Sequence, residues 1–141
     1  MHDFKYCIWL CPNKKSLWYS YTKDFEPHIT IYKNLNKETA LTLFNRINKK
    51  VSIKVKLIGS LQFTNITDFY ALEKRTECIS LQKPVWWPNG AHMSFRYQYT
   101  EKFTERVAND LISTLKIDED YMTHFKLMKC TGHYTKWKQI G

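Results

Sequence analysis

Twice along the chain, an apolar strand-forming segment carries a histidine and a small hydroxyl residue two positions later, then runs into an amphipathic helix. The first segment is "HITIY", with His28 and Thr30; the second is "HMSFRY", with His92 and Ser94. Asn36 is placed to cap a helix whose apolar residues Ala40, Leu43, Phe44 and Ile47 recur at helical spacing. Thr100 is placed to cap a second, carrying Phe103, Val107, Leu111 and Leu115 with Ile112 beside them. Around these units lie further strands. "KYCIWLC" spans residues 5–11 and ends at Pro12, and "VSIKVKLIGSLQF" alternates from Val51 to Leu57 before an interruption near Gly59. "DFYALEKRTECISLQK" reads as one or two strands, and "YMTHFKLMKC" and "YTKWKQI" close the chain. "SLWYSYTKDF" is ambiguous between a short helical turn and an irregular arm. The order strand–helix–strand–strand thus occurs twice, which predicts an α+β fold of two similar, pseudo-symmetric halves, antiparallel sheet with helices packed outside.

At 141 residues the chain is expected to be one domain, residues 1–141, with a full core, since a chain of this length buries roughly two-thirds of its unfolded surface. The start "MHDFKYCIWLCP" has no long apolar run, so neither a signal peptide nor a membrane anchor is expected there. Cys7, Cys11, Cys78 and Cys130 have poor spacing for zinc, and reduced thiols in a cytoplasmic or nuclear compartment are the expectation. The net charge of +9 suits a phosphate-bearing partner and equally a solvated basic surface.

Side chains two apart on a strand share a face. Each histidine is therefore presented together with its hydroxyl, and two such edges facing each other would fit a tetrahedral phosphate. Phosphodiester cleavage needs a base to activate the attacking oxygen and an acid for the departing one. Two imidazoles with ordinary pKa near 6.5 supply both at neutral pH, and hydroxyls can donate to the non-bridging oxygens. Neither metal nor cofactor is called for, and which histidine is base and which acid is left open by the near-symmetry of the halves. A third such pair, His133 with Thr135, reads as coincidence, and His124 as structural.

The "HIT" and "HMS" segments resemble the 2H phosphoesterase superfamily, the LigT-like proteins. "YCIWLCP" followed by "FEPHITIY", together with the ending "FKLMKCTGHYTKWKQI", is similar in pattern to the plant and fungal cyclic nucleotide phosphodiesterases. The resemblance implies His28 and His92 as the catalytic pair, Thr30 and Ser94 as phosphate-binding companions, and Tyr97 as a nucleotide contact. Strict alternation puts Tyr97 on the face opposite His92 and makes Arg96 a rival phosphate contact. The pattern departs from the family at Ala91, where proline is common, at the bulky Phe95, and in the short segment ahead of His28. Beside these, Tyr32 shares the His28 face by alternation, and Trp87, in the loop "PVWWPNG" with Trp86, is a candidate base-stacking lid. Phe69 or Tyr70 can line the cleft.

The expected activity is cleavage of a nucleoside 2′,3′-cyclic phosphate or of the cyclic phosphate of ADP-ribose. Alternatives are degradation of a 2′–5′-linked signalling nucleotide (2′–5′ oligoadenylate or 2′,3′-cGAMP), as some LigT-like proteins including viral ones perform, and an RNA-binding module without turnover. The expected partner is a small nucleotide or short oligonucleotide, with no membrane, no obligate protein partner and a monomeric state.

Overall fold

The computed structural model describes residues 3–141. Its elements are β1 (Lys5–Pro12), a 3-10 turn (Leu17–Ser20), β2 (Ile29–Leu35), α1 (Lys37–Arg46), β3 (Lys50–Ile66), β4 (Phe69–Cys78), β5 (His92–Tyr99), α2 (Glu105–Thr114), β6 (Glu119–Cys130), a 3-10 turn (Tyr134–Lys136) and β7 (Lys138–Gln139). The fold is α+β: one seven-stranded antiparallel sheet with two helices. The sheet order is β1-β2-β5-β4-β3-β6-β7, and β6 also pairs with β1, so six strands form a closed circuit of pairings. The circuit is thinnest at β2–β5, where Ile29 opposite Met93 is the one registered pair. Helices follow the histidine-bearing strands as expected, but each repeat reads strand–strand–helix–strand.

Capping fixes the helix starts. Asn36 accepts the Thr39 N–H at 2.8 Å and opens α1, whose Ala40 and Phe44 are buried. The second helix is capped by Thr104, not Thr100. Thr104 Oγ1 accepts from the Val107 N–H at 3.3 Å. Thr100 instead adopts a left-handed conformation (φ 68°) just past β5, where its N–H donates to the Asp68 carbonyl at 2.7 Å. With the start moved, Ala108 and Leu111 face the core, and Val107 and Ile112 of the expected stripe lie exposed. Only Lys138–Gln139 of "YTKWKQI" forms strand, after the 3-10 turn. The interruption near Gly59 (φ 75°) is an irregularity in the β3–β4 ladder between Ile58 and Gln62, and β3 runs through it.

Alternation along β1 serves two apolar layers. Ile8 and Leu10 join the main core with Trp18, Leu72, Phe95 and Leu127, whereas Cys7, Trp9 and Cys11 form a second cluster with Met128 and Cys130 on the other face. Tyr21 ties the segment after the first 3-10 turn to the chain beyond α2: its hydroxyl accepts the N–H groups of Lys116 (2.9 Å) and Ile117 (2.7 Å). Tyr21→Phe leaves both donors without that acceptor in a buried setting. A loss of about 1–3 kcal/mol of unfolding free energy is expected, read from the urea midpoint at unchanged slope.

Candidate active site

Both histidines open onto one cavity of about 320 Å³, walled by the strands of the closed circuit and by the loop Pro88–Ala91. His28 stands immediately before β2 and His92 begins β5, so both flank the thin β2–β5 junction. Each ring is fixed in the same way. Nδ1 of His28 meets the carbonyl of Glu26, two residues back, at 2.8 Å; Nδ1 of His92 meets the carbonyl of Gly90, also two residues back, at 3.3 Å. A carbonyl can only accept, so Nδ1 is a donor in both rings.

The surroundings of the two rings differ. His28 is 3% exposed and stacks on Trp9 with centroids 3.5 Å apart and planes 7° from parallel. Burial drives its pKa from 6.5 down to about 3; the Glu26 carbonyl pulls back in the other direction, and the charges of His92 and Lys126 push it further down. His28 is therefore neutral, protonated at Nδ1, with Nε2 carrying the lone pair. Glu26 in turn is ion-paired through its carboxylate with the buried Lys126, which steadies the segment that supplies the carbonyl. His92 has a more open side chain, and its Nε2 lies 3.1 Å from Oε2 of the buried Glu73. The other carboxylate oxygen, Oε1, accepts from Thr64 Oγ1 at 2.5 Å. Both nitrogens of His92 thus face acceptors, an arrangement that the doubly protonated ring alone satisfies.

Local strand geometry decides which neighbours reach the cavity. In the β4–β5 ladder Glu73 opposes Ser94 and Leu72 opposes Arg96, which leaves Phe95 as an extra residue. In the β1–β2 ladder Trp9 opposes Thr30 and Ile8 opposes Tyr32, which leaves Ile31 extra. Each bulge lies three residues after its histidine and reverses the facing of the residues beyond it. Tyr97 consequently lines the cavity with His92 and Ser94, and Lys33 lines it with His28 and Thr30.

Of the residues singled out from sequence, the cavity gathers His28, Thr30, His92, Ser94, Tyr97 and, of the pair Phe69 and Tyr70, Phe69. It leaves out three. Arg96 turns away because of the Phe95 bulge, and its Nη1 donates to the backbone carbonyls of Tyr21 and of Phe95 (2.7 Å). Tyr32 turns away because of the Ile31 bulge and is exposed. Trp87 is buried in the main core, and Trp86 packs edge-on against Phe125 at 5.3 Å, so neither tryptophan lines the cavity. The tryptophans that do are Trp9 and Trp137. Tyr97 packs against Phe69 (5.0 Å) and Trp137 (5.4 Å), and its hydroxyl is hydrogen-bonded to Ser94; burial raises its pKa, so it stays a neutral phenol. The Cys7 and Cys130 thiols also line the cavity and are hydrogen-bonded to each other; that bond, then burial, raises the Cys130 pKa.

Sequence reasoning missed Lys33, Glu73, Thr64 and Trp9. A signal for Glu73 was present: Phe69, Ala71 and Glu73 alternate onto one face, so a carboxylate continues an otherwise apolar lining. Lys33 gave none without the bulge. Among the described residues, no group of three or more His, Cys, Asp or Glu side chains could hold a metal ion, and no helix is long and apolar enough to cross a membrane. Comparison with family models, curated proteins and solved structures finds no match.

Proposed function

We propose that the chain is a phosphodiesterase of the 2H type that cleaves a small nucleotide at a phosphodiester involving a ribose 2′ oxygen, with His28 as general base and His92 as general acid. The observation that carries this reading is the pair of imidazoles in one cavity, each pinned at Nδ1 by its own upstream carbonyl, one neutral and one set between two acceptors.

The pairing pattern supports a fold of two related halves. Exchanging β1 with β4, β2 with β5 and β3 with β6 turns the closed circuit of pairings into itself. By register, the same exchange matches His28 with His92, Thr30 with Ser94, the Ile31 bulge with the Phe95 bulge, and Trp9 with Glu73. Trp9 and Glu73 thus stand at corresponding places beside the two histidines, and this one difference breaks the symmetry of the pair. An apolar ring face keeps His28 uncharged; a carboxylate accepts from His92.

The chemistry follows from that difference. Water attacks phosphorus while Nε2 of His28 takes its proton, so a P–O bond to water forms as the P–O bond to the departing ribose oxygen breaks. The imidazolium of His92 gives that oxygen its proton, and the product is a phosphomonoester. Thr30 and Ser94 are placed to donate to the non-bridging oxygens, where negative charge builds. An imidazole with pKa about 3 is by itself a weak base. A phosphate anion beside it favours the cation, so His28 gains basicity when substrate is in place. Both proton roles are filled by side chains, so the reaction requires no metal.

The cavity is near the lower end of small-molecule pockets, roughly 300–1,000 Å³, which favours a single nucleotide such as a nucleoside 2′,3′-cyclic phosphate. A 2′–5′ oligoadenylate or 2′,3′-cGAMP would place one nucleotide inside and extend past the rim. The deciding experiment incubates the protein with 2′,3′-cyclic AMP, 2′–5′ oligoadenylate and 2′,3′-cGAMP in EDTA. Turnover of any of them is expected, with the cyclic mononucleotide fastest. Tight RNA binding with no turnover would replace this reading by that of a binding module.

A further inference from the structure

A carboxylate in a phosphate cavity is electrostatically out of place. Glu73 is 7% exposed, and its two oxygens are held by Thr64 and His92 from the strands on either side, so it is a fixed feature of the wall and no swinging group. The ionisable groups that line the cavity with it are His92 and Tyr97 from β5, His28 and Lys33 from the β2 side, Cys7 from β1 and Cys130 from β6. The charges among these are the Lys33 ammonium and the His92 ring, doubly protonated as its two acceptors require, against the Glu73 carboxylate. Lys126, which does not line the cavity, is ion-paired with Glu26. The cavity therefore offers one net positive charge, the complement of one negative charge.

Resting on the phosphodiesterase reading above, we propose that Glu73 is a specificity-determining residue that admits a phosphodiester monoanion and disfavours a phosphomonoester dianion. A diester keeps a single charge at every working pH. A monoester takes up a second charge as pH rises through about 6. Hydrolysis converts the first into the second, so the reaction creates the charge that the cavity leaves uncompensated, and Glu73 favours release of product. Without Glu73 the monoester is retained, because its second charge takes over the carboxylate's place as the acceptor for His92.

The test measures binding in the His28→Ala background, where turnover is slowed by about 10²–10⁴ and the charge of the cavity is unaltered. Adenosine 2′-monophosphate and 2′,3′-cyclic AMP are titrated calorimetrically at pH 5 and pH 7, with and without Glu73→Gln. With Glu73 present, affinity for the monoester relative to the cyclic diester is expected to fall about tenfold between pH 5 and pH 7. Glu73→Gln is expected to abolish that fall and to tighten the monoester about tenfold at pH 7, with less than threefold change for the diester. A monoester-to-diester ratio that stays level with pH while Glu73 is in place overturns the inference, and that measurement needs no second variant. Equal effects of Glu73→Gln on both ligands overturn it as well. Failure of either nucleotide to bind overturns the phosphodiesterase reading itself, and the inference with it.

Discussion

Alanine at His28 or at His92 is expected to lower kcat/KM toward the nucleotide substrate by about 10²–10⁴ each, the usual size of a proton-transfer contribution. The two substitutions should not add. A base and an acid that act in one displacement work as a unit, so the double variant is expected to lie close to the worse single one. The two losses differ in what accompanies them. Removing the His92 ring takes from the buried Glu73 its 3.1 Å partner and leaves the carboxylate with the Thr64 hydroxyl, so His92→Ala also weakens the fold. His92→Gln, which keeps an N–H within reach of the carboxylate, separates the effects: stability should recover while activity stays low, because an amide has no proton to give. Steady-state rates and urea midpoints on the same preparations check this. A loss below tenfold for both alanine variants would remove the acid–base roles, whatever the substrate.

The parts of this molecule that sequence made visible are those fixed by local periodicity. Helical spacing from Ala40 to Ile47 behind Asn36, and alternation in "KYCIWLC" and "HITIYKN", each specify an element within a few residues, and those elements are present. The pairs His28–Thr30 and His92–Ser94 share a cavity because period two holds over two residues. It fails over five. Bulges at Ile31 and Phe95 reverse the facing beyond them, and a bulge is set by the register of the partner strand, β1 or β4, which lies far along the chain. Hence Tyr32 and Arg96, expected in the cleft, lie outside it, while Lys33 and Tyr97 lie inside. Glu73 shared a face with Phe69 and Ala71 by alternation, but its charged neighbours masked that signal. It stands in "LEKRTE" among three other charged residues, and only the closed circuit of strands makes its face interior. Trp87 followed from the idea that a loop tryptophan beside the site must serve it; the core took the ring instead, because burying so large an apolar surface is the stronger tendency.

Acid is expected to destabilise the protein well before its carboxylates titrate, and His28 is the reason. In the unfolded chain this imidazole takes up a proton near pH 6.5; folded, it does so near pH 3. Between those values the unfolded state binds a proton that the folded state refuses, so stability is full above about pH 6.5 and drains away as pH falls. Within the window the cost is about 1.4 kcal/mol for each pH step, so from pH 6.5 to pH 5 the loss is about 2 kcal/mol, a sizeable share of the roughly 5–15 kcal/mol that holds a domain together. His124, whose pKa is also lowered by burial, adds to the loss in the same direction. Replacing His28 by Gln removes the titrating ring and should flatten the dependence by about 2 kcal/mol between pH 7.5 and pH 5, whatever the variant's own stability at neutral pH. Urea unfolding of both proteins across that range reads the slope directly. The same burial shapes catalysis. With the free enzyme's base titrating near pH 3, the acidic limb of kcat/KM set by His28 lies far below the 6.5 of an ordinary imidazole, so no loss of activity from protonating the base is expected down to pH 5. Parallel stability slopes for the two proteins, together with an acidic limb near pH 6.5, would mean that water reaches His28 and that Trp9 does not shield it.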